Sequence, residues 1–328
     1  MKPFLFWWQR VSKKSTVLVV LAAVVAFGLT LVEGRKLPHS VRLAYRPEVG
    51  ASTDYKMEMK ASSKLVGMEE DIYSHLPQES TTFGRFVFSD KILSVTSQGN
   101  IQEEITYSDV ELGMEVEGRR QNLPFADKLK GKTILMEIDR DGRVVSTKGL
   151  DQLSEELKGL NIQEMFIQLR PIFPDRELKV GDSWDNRTES LIPIGGMLIS
   201  TEVNENYTLS RLKEAGNELC AVIGVTLGIS TKGKTVSKEK GVDIDIDMEG
   251  EGKGELIYAF EKSRLISSRM GLDLTSKIRS SAYRERDEIQ MEHRIDMFLE
   301  EEKKESRKSK KKGSESIKSR KDEGARLE

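Results

Sequence analysis

The residues best placed to do chemistry lie in Lys179–Asp185, "KVGDSWD", where a Gly-Asp-Ser core sets Ser183 on a turn. A serine is inert as a nucleophile unless a base sits within hydrogen-bond reach. Hydrolases built on such a block need a downstream histidine with an aspartate three residues before it. The chain has His39, His75 and His293; only His293 is downstream, and Gln290 holds the aspartate position. The surrounding sequence also lacks the strand-turn-helix pattern of a nucleophile elbow. The stronger reading makes Gly181 and Asp182 a turn and Trp184 the residue that anchors the following strand in the core. A hydrolase at Ser183 ranks third among the functional readings.

Other clusters invite similar tests. "DIDIDMEGEGKGE" starting at Asp243 suggests a calcium loop, but Met248 and Gly254 occupy the sixth and twelfth positions, where an EF-hand needs Gly and Glu. A solvated acidic strand face explains it better. Gly250, Gly252 and Gly254 resemble a phosphate loop, but no helical pattern opens after them. In a strand they share one face and leave it bare, which calls for a kink, a close neighbour or the floor of an apolar cavity. Leu256, Tyr258 and Phe260 continue that face, so these six residues form the candidate ligand surface. His293 lies on an apolar strand phase with no second metal ligand at a suitable spacing, and Cys220 in "ELCAVIG" reads as a small strand hydrophobe. No metal site, cofactor or catalytic residue is expected.

Strands must position these residues. From Val242 to Phe260 apolar or glycine residues hold every second place, with mostly acidic residues between them. Ile289, Met291, His293, Ile295, Met297 and Leu299 repeat the pattern. Antiparallel sheet with one solvated face follows. A single segment has helical spacing, Leu150, Leu153, Leu157 and Leu160 with Ile162, Met165, Phe166 and Leu169, before Pro171 stops it. "GKTILMEIDRDGRVVS" (131–146) aligns without gaps on "GKGELIYAFEKSRLIS" (252–267), which suggests two related hairpins, although any two amphipathic hairpins share a binary pattern.

Targeting signals flank this region. Lys2, Arg10, Lys13 and Lys14 precede an uncharged run from Ser15 to Val32, which falls within the roughly 17–25 residues that span a bilayer. The charge asymmetry places the N-terminus in the cytoplasm and the bulk outside, in a bacterial inner membrane with an extracytoplasmic (periplasmic) domain. Cleavage near Ala26-Phe27-Gly28, followed by secretion, is the alternative. Beyond Glu300 almost no apolar residues remain, so the tail should be disordered, and its basic stretch 303–321 could meet anionic lipid or polymer. Lys+Arg 52 against Asp+Glu 54 disfavours nucleic acid as a partner of the whole chain, and a lone cysteine excludes an intramolecular disulfide framework.

Together "LAYRPEVGASTDY" (43–55), the Val180–Trp184 turn and the Gly-x-Gly-x-Gly strand with its hairpin at 250–267 resemble an uncharacterised bacterial family of exported β-rich proteins, a domain of unknown function. The resemblance covers roughly residues 40–300 and implies export. It lends no catalytic residues, and this chain departs from the family in lacking a lipobox cysteine and in carrying the long basic tail.

The expected architecture is mainly β: a curved antiparallel sheet, either an open half-barrel or two lobes (40–146 and 178–300), joined by the helical segment 147–172. A cytoplasmic basic region (1–14), a membrane helix (15–32) and a disordered tail (301–328) complete the chain. The expected function is a non-enzymatic, membrane-anchored envelope protein that binds an apolar ligand, such as lipid, or a protein partner on the concave sheet face. A structural or assembly role through the basic tail is the alternative.

Overall fold

The computed structural model describes residues 37–67, 77–149, 170–194, 197–215, 217–237, 242–280 and 288–302. The expected membrane span 15–32, residues 150–169 of the expected helical segment, His75 and the basic tail 303–321 lie outside the described residues. Two compact units, Met1–Pro38 and His39–Glu328, divide the chain, and the second holds all of the sheet.

The strands are β1 Ser52–Gly67, β2 Glu79–Val95, β3 Ile101–Val116, β4 Arg119–Asn122, β5 Thr133–Ile138 and β6 Val144–Lys148, followed by β7 Ser183–Ile194, β8 Met197–Ala215, β9 Glu218–Ser237, β10 Val242–Ala259, β11 Arg264–Ser280 and β12 Glu288–Glu301. They form one twelve-stranded antiparallel sheet, which is not closed, in the order β6-β5-β3-β2-β1-β12-β11-β10-β9-β8-β7, with β4 paired on β3. Among the described residues the helical element is a short 3-10 turn, Pro124–Leu129, and no helix is long and apolar enough to cross a membrane.

Local chemistry explains most neighbours. β3 and β4 are joined by the two residues Glu117 and Gly118, both at positive φ (50° and 75°), the geometry of the tight hairpin turns that match strand twist. The two aligned segments 131–146 and 252–267 fall on the β5–β6 and β10–β11 hairpins. One pairing is not local: β1 lies against β12, with Met57 opposite Leu299 and Ser63 opposite His293, and it brings the start and end of the β region side by side.

Register gives the sheet a continuous inner face. One row across it runs Leu209, Ile223, Leu256, Ser268, Leu299, Met57 and Phe86. The next runs Tyr207, Val225, Gly254, Met270, Met297, Met59 and Gly84. Most of these residues are buried and belong to a single hydrophobic core. Their strand neighbours alternate outward, as the two-residue period requires.

Two irregular segments cross one end of this face. Val41 and Leu178 form an isolated antiparallel bridge, each amide donating to the other's carbonyl at 2.8 Å. Tyr45 stacks on Phe173 with ring centroids 5.0 Å apart, and its hydroxyl donates to the Pro171 carbonyl at 2.8 Å. Residues 41–46 and 170–178 together make a strap.

Candidate functional site

The strap and the sheet enclose a cavity of about 80 Å³. Its walls are mainly aromatic and aliphatic, with Tyr45, Tyr55, Phe88, Ile105, Tyr258 and Leu299 among them. Arg170, Asp90 and Glu103 form the most buried charged cluster of this wall, which Lys262 and Arg264 also line. The Arg170 guanidinium donates to Glu103 at 3.0 Å, with a second, shorter bond to the same carboxylate, and to Asp90 Oδ2 at 3.1 Å. Glu103 is 2% exposed, and the Asp90 and Arg170 side chains are little more so at 14% and 16%.

Strand phase puts these carboxylates here. Asp90 falls in step with Phe86, Phe88 and Ile92 on β2, and Glu103 with Ile101, Ile105 and Tyr107 on β3, so both project where their neighbours form the core. A single guanidinium cannot neutralise two buried carboxylates. Burial pushes the Glu103 carboxyl up to about 8 and raises that of Asp90, against the pull of Arg170 in both cases. Asp90 Oδ1 is buried without a hydrogen-bond partner among the described residues. Tyr258 completes the wall, its hydroxyl donating to the Ala44 carbonyl at 2.9 Å, and burial raises its phenol pKa.

The glycine strand is occupied from the side. A Cβ built on Gly252 would stand 2.4 Å from Leu272 Cδ2, and one on Gly254 2.3 Å from Met270 Sδ. At Gly250 it would meet the Asp273 carbonyl oxygen at 2.3 Å and Leu274 Cδ2 at 2.5 Å. The side chains of β11 thus lie flat across the β10 glycines, and close approach by a neighbour is the reason for them. Leu256 and Tyr258 are buried at 3% and 1%, and Phe260 packs on the core's edge.

The Gly181 turn positions Trp184. Gly181 has φ +96°, a conformation that favours glycine, and its amide donates to the Leu209 carbonyl at 2.8 Å. Asp182 accepts from the Lys179 amide at 2.9 Å and from Arg176 at 3.2 Å, contacts that hold its carboxyl below the ordinary range. Trp184 stacks on Tyr207 at 5.4 Å and donates its indole N–H to the Ile172 carbonyl at 2.8 Å. The Ser183 hydroxyl bonds Thr208 Oγ1 at 2.8 Å on the edge strand, five strands away from β12, which carries His293.

His293 is hydrogen-bonded at both ring nitrogens, Nδ1 with Ser63 Oγ at 2.8 Å and Nε2 with Ser276 Oγ at 2.7 Å. Burial lowers its pKa. No group of three metal-ligating side chains occurs among the described residues.

Sequence reasoning missed Arg170, Asp90 and Glu103. A signal for the carboxylates existed: each is an acid on the apolar phase of its strand. Arg170 offered only one charge in the apolar run "MFIQLRPIF".

Residues 152–259 match a family of unknown function, DUF6263, which covers about a third of the chain and includes the Gly181 turn and the glycine strand. No curated protein matches the chain. Among solved structures the chain is similar to the β domain of the Bordetella autotransporter BrkA, at 9% identity over 76% of this chain and 99% of that one, with a TM-score of 0.21. Pseudomonas aeruginosa OccK5 (OpdH) matches at 8% identity over 79% of this chain and 100% of that one, again with a TM-score of 0.21. At such scores these likenesses carry no argument.

Proposed function

We propose that this chain is a non-enzymatic binding protein of the bacterial envelope, anchored through residues 15–32, that holds an apolar ligand or a segment of a protein partner on its inner sheet face. The matched family assigns no activity, so the reading stands on geometry. The cavity under the strap carries it: mainly apolar walls with a few convergent polar groups are the composition of a ligand site, here in a pocket of about 80 Å³ that opens onto the inner face.

The reading needs the sheet to curve into an open half-barrel, and the strap supports that curvature. Arg170 reaches Glu103 on β3, while Ile172, two residues on, accepts from Trp184 on β7. In sheet order those strands are eight positions apart, about 38 Å if the sheet lay flat at roughly 4.8 Å per strand. Two residues of chain span only about 7 Å.

Beyond the strap, the row Gly254, Met270, Met297, Met59 and Gly84 gives the inner face a low floor of flexible thioethers, with Met270 lying over Gly254 and with Phe86 and Leu112 beside Gly84, which suits an irregular apolar guest. The glycines contribute by letting β11 side chains lie flat.

Native mass spectrometry of the full chain released from detergent tests the reading. The wild type should retain an apolar small-molecule adduct. Ala61→Phe, which adds bulk on the half-buried inner phase of β1, should lose it, and the volume-conserving Met59→Leu should keep it. Bare wild-type protein, or an adduct unchanged in a folded Ala61→Phe chain, removes the proposal.

A further inference from the structure

The outer face of the sheet carries a second feature, independent of the cavity. A groove of about 830 Å³ crosses the middle strands from β10 to β3. Register sets its floor. One row runs Lys253, Gly271, Asp296, Lys60 and Phe83, and the next runs Glu255, Arg269, Phe298, Glu58, Arg85 and Glu111. The Arg120 guanidinium lies 3.7 Å from the centre of the Phe83 ring, and that of Arg269 lies 5.2 Å from the centre of Phe298.

Formal charge in the groove is nearly balanced, but its availability is not. Every acid is engaged: Glu58 with Lys56 at 2.6 Å, Glu111 with Arg85 at 3.8 Å, Glu255 with Arg211 at 3.7 Å and Asp296 with Arg294 at 3.3 Å. Lys60, Arg120, Lys253 and Arg269 have no ion pair among the described residues. Four cations without counter-ions therefore face a groove whose carboxylates are already spoken for. Gly271 keeps the floor bare between them, because a Cβ there would meet only Asp296 Oδ1, at 3.4 Å.

The spacing selects the ligand. Lys253 and Lys60 are three strands apart, about 14 Å, and Arg120, on β4, lies three strands further on. One compact headgroup cannot span that line. No exposed large aliphatic residue lies in the groove to enter a bilayer, and both rings are capped by guanidinium. We infer that this groove is a docking surface for an extended polyanion, a linear phosphate-bearing polymer laid across the strands with its phosphates on Lys253, Arg269, Lys60 and Arg120.

Binding of the full chain to long-chain inorganic polyphosphate tests this, with triphosphate, anionic phospholipid vesicles and a polyglutamate peptide as comparisons. Because residues 303–321 add their own basic charge, the readout is the difference between variants. The double charge reversal Lys60→Glu/Arg269→Glu should weaken polyphosphate binding by about tenfold or more. Gly271→Leu, which fills the floor without changing charge, should weaken it as well, while thermal unfolding stays near wild type. Triphosphate should bind far more weakly than the polymer. Wild-type affinity in both folded variants would assign the binding to the tail and overturn the proposal. Equal binding of triphosphate, or preferential binding of vesicles or polyglutamate, would overturn it too.

Discussion

Two polar clusters interrupt the same apolar inner face, and they solve the problem of burial in opposite ways. Under the strap, Arg170 holds Asp90 and Glu103 as an ion cluster. Further along the face, His293 is held neutral between Ser63 and Ser276. The first ties an irregular segment to strands β2 and β3 through charge. The second links β1, β12 and β11 through uncharged hydrogen bonds, so the one non-local seam of the sheet is spanned without placing a charge in it. Charge is spent where the chain must be gripped from outside the ladder. Neutral polarity suffices where backbone pairing already fixes the geometry.

The largest effect should come from removing the grip. Arg170→Met leaves the buried carboxyl pair without its counter-ion and should cost about 3–5 kcal/mol, the usual penalty for breaking a buried pair from one side. Chemical denaturation measures it. The loss should shrink at pH 5, where the orphaned carboxyls can take up protons. A loss below 1 kcal/mol, or one independent of pH, would mean that the cluster is solvated and does not fasten the strap.

The two clusters also predict opposite pH slopes. Glu103 and Asp90 have raised folded-state pKa values, Glu103 to about 8, so the folded protein holds protons that the unfolded chain has released. Their stabilising contribution is complete below the unfolded carboxylate value near 4.5 and is lost as pH rises through about 8. His293 has the reverse sign: its pKa is lowered, so it costs nothing above its ordinary value near 6.5 and destabilises the fold as pH falls below that. In Glu103→Gln the loss of stability between pH 6 and pH 8 should flatten, and in His293→Leu the loss on the acid side should disappear. His293→Leu should itself cost about 1–3 kcal/mol, because it orphans a buried serine hydroxyl. If one variant altered both limbs, the clusters would not be independent.

The contrast also shows what the sequence could reveal. Period-two alternation made β10 and β12 legible, and placing His293 on an apolar strand face needed only its phase. The glycine phase was visible as well, but what covers it was not. Met270, Leu272 and Leu274 lie over those glycines because β11 pairs with β10 in a register that no local pattern states. The β1–β12 seam joins segments more than two hundred residues apart, for which alternation is silent. Arg170 was illegible for a related reason: its partners are set by how the strap returns over the sheet, and one arginine beside a proline carries no record of that path.

The smallest effect is the most discriminating, because it splits the neutral cluster itself. Ser276 is 5% exposed, whereas Ser63 is only half-buried, so the two hydroxyls bonded to His293 sit in different surroundings. Ser276→Ala leaves Nε2 buried without a partner and should cost about 1 kcal/mol or slightly more. Ser63→Ala leaves Nδ1 where water can replace the lost hydroxyl, and should cost a few tenths of that. The same asymmetry should appear in the histidine titration followed by NMR. Losing the Ser276 contact leaves burial to dominate and should keep the imidazole pKa low, whereas admitting water beside Nδ1 in Ser63→Ala should move it up towards its ordinary value. Equal costs and equal titration shifts would mean that both sides of the ring are equally wet, and the inner face would then be open at this row rather than covered.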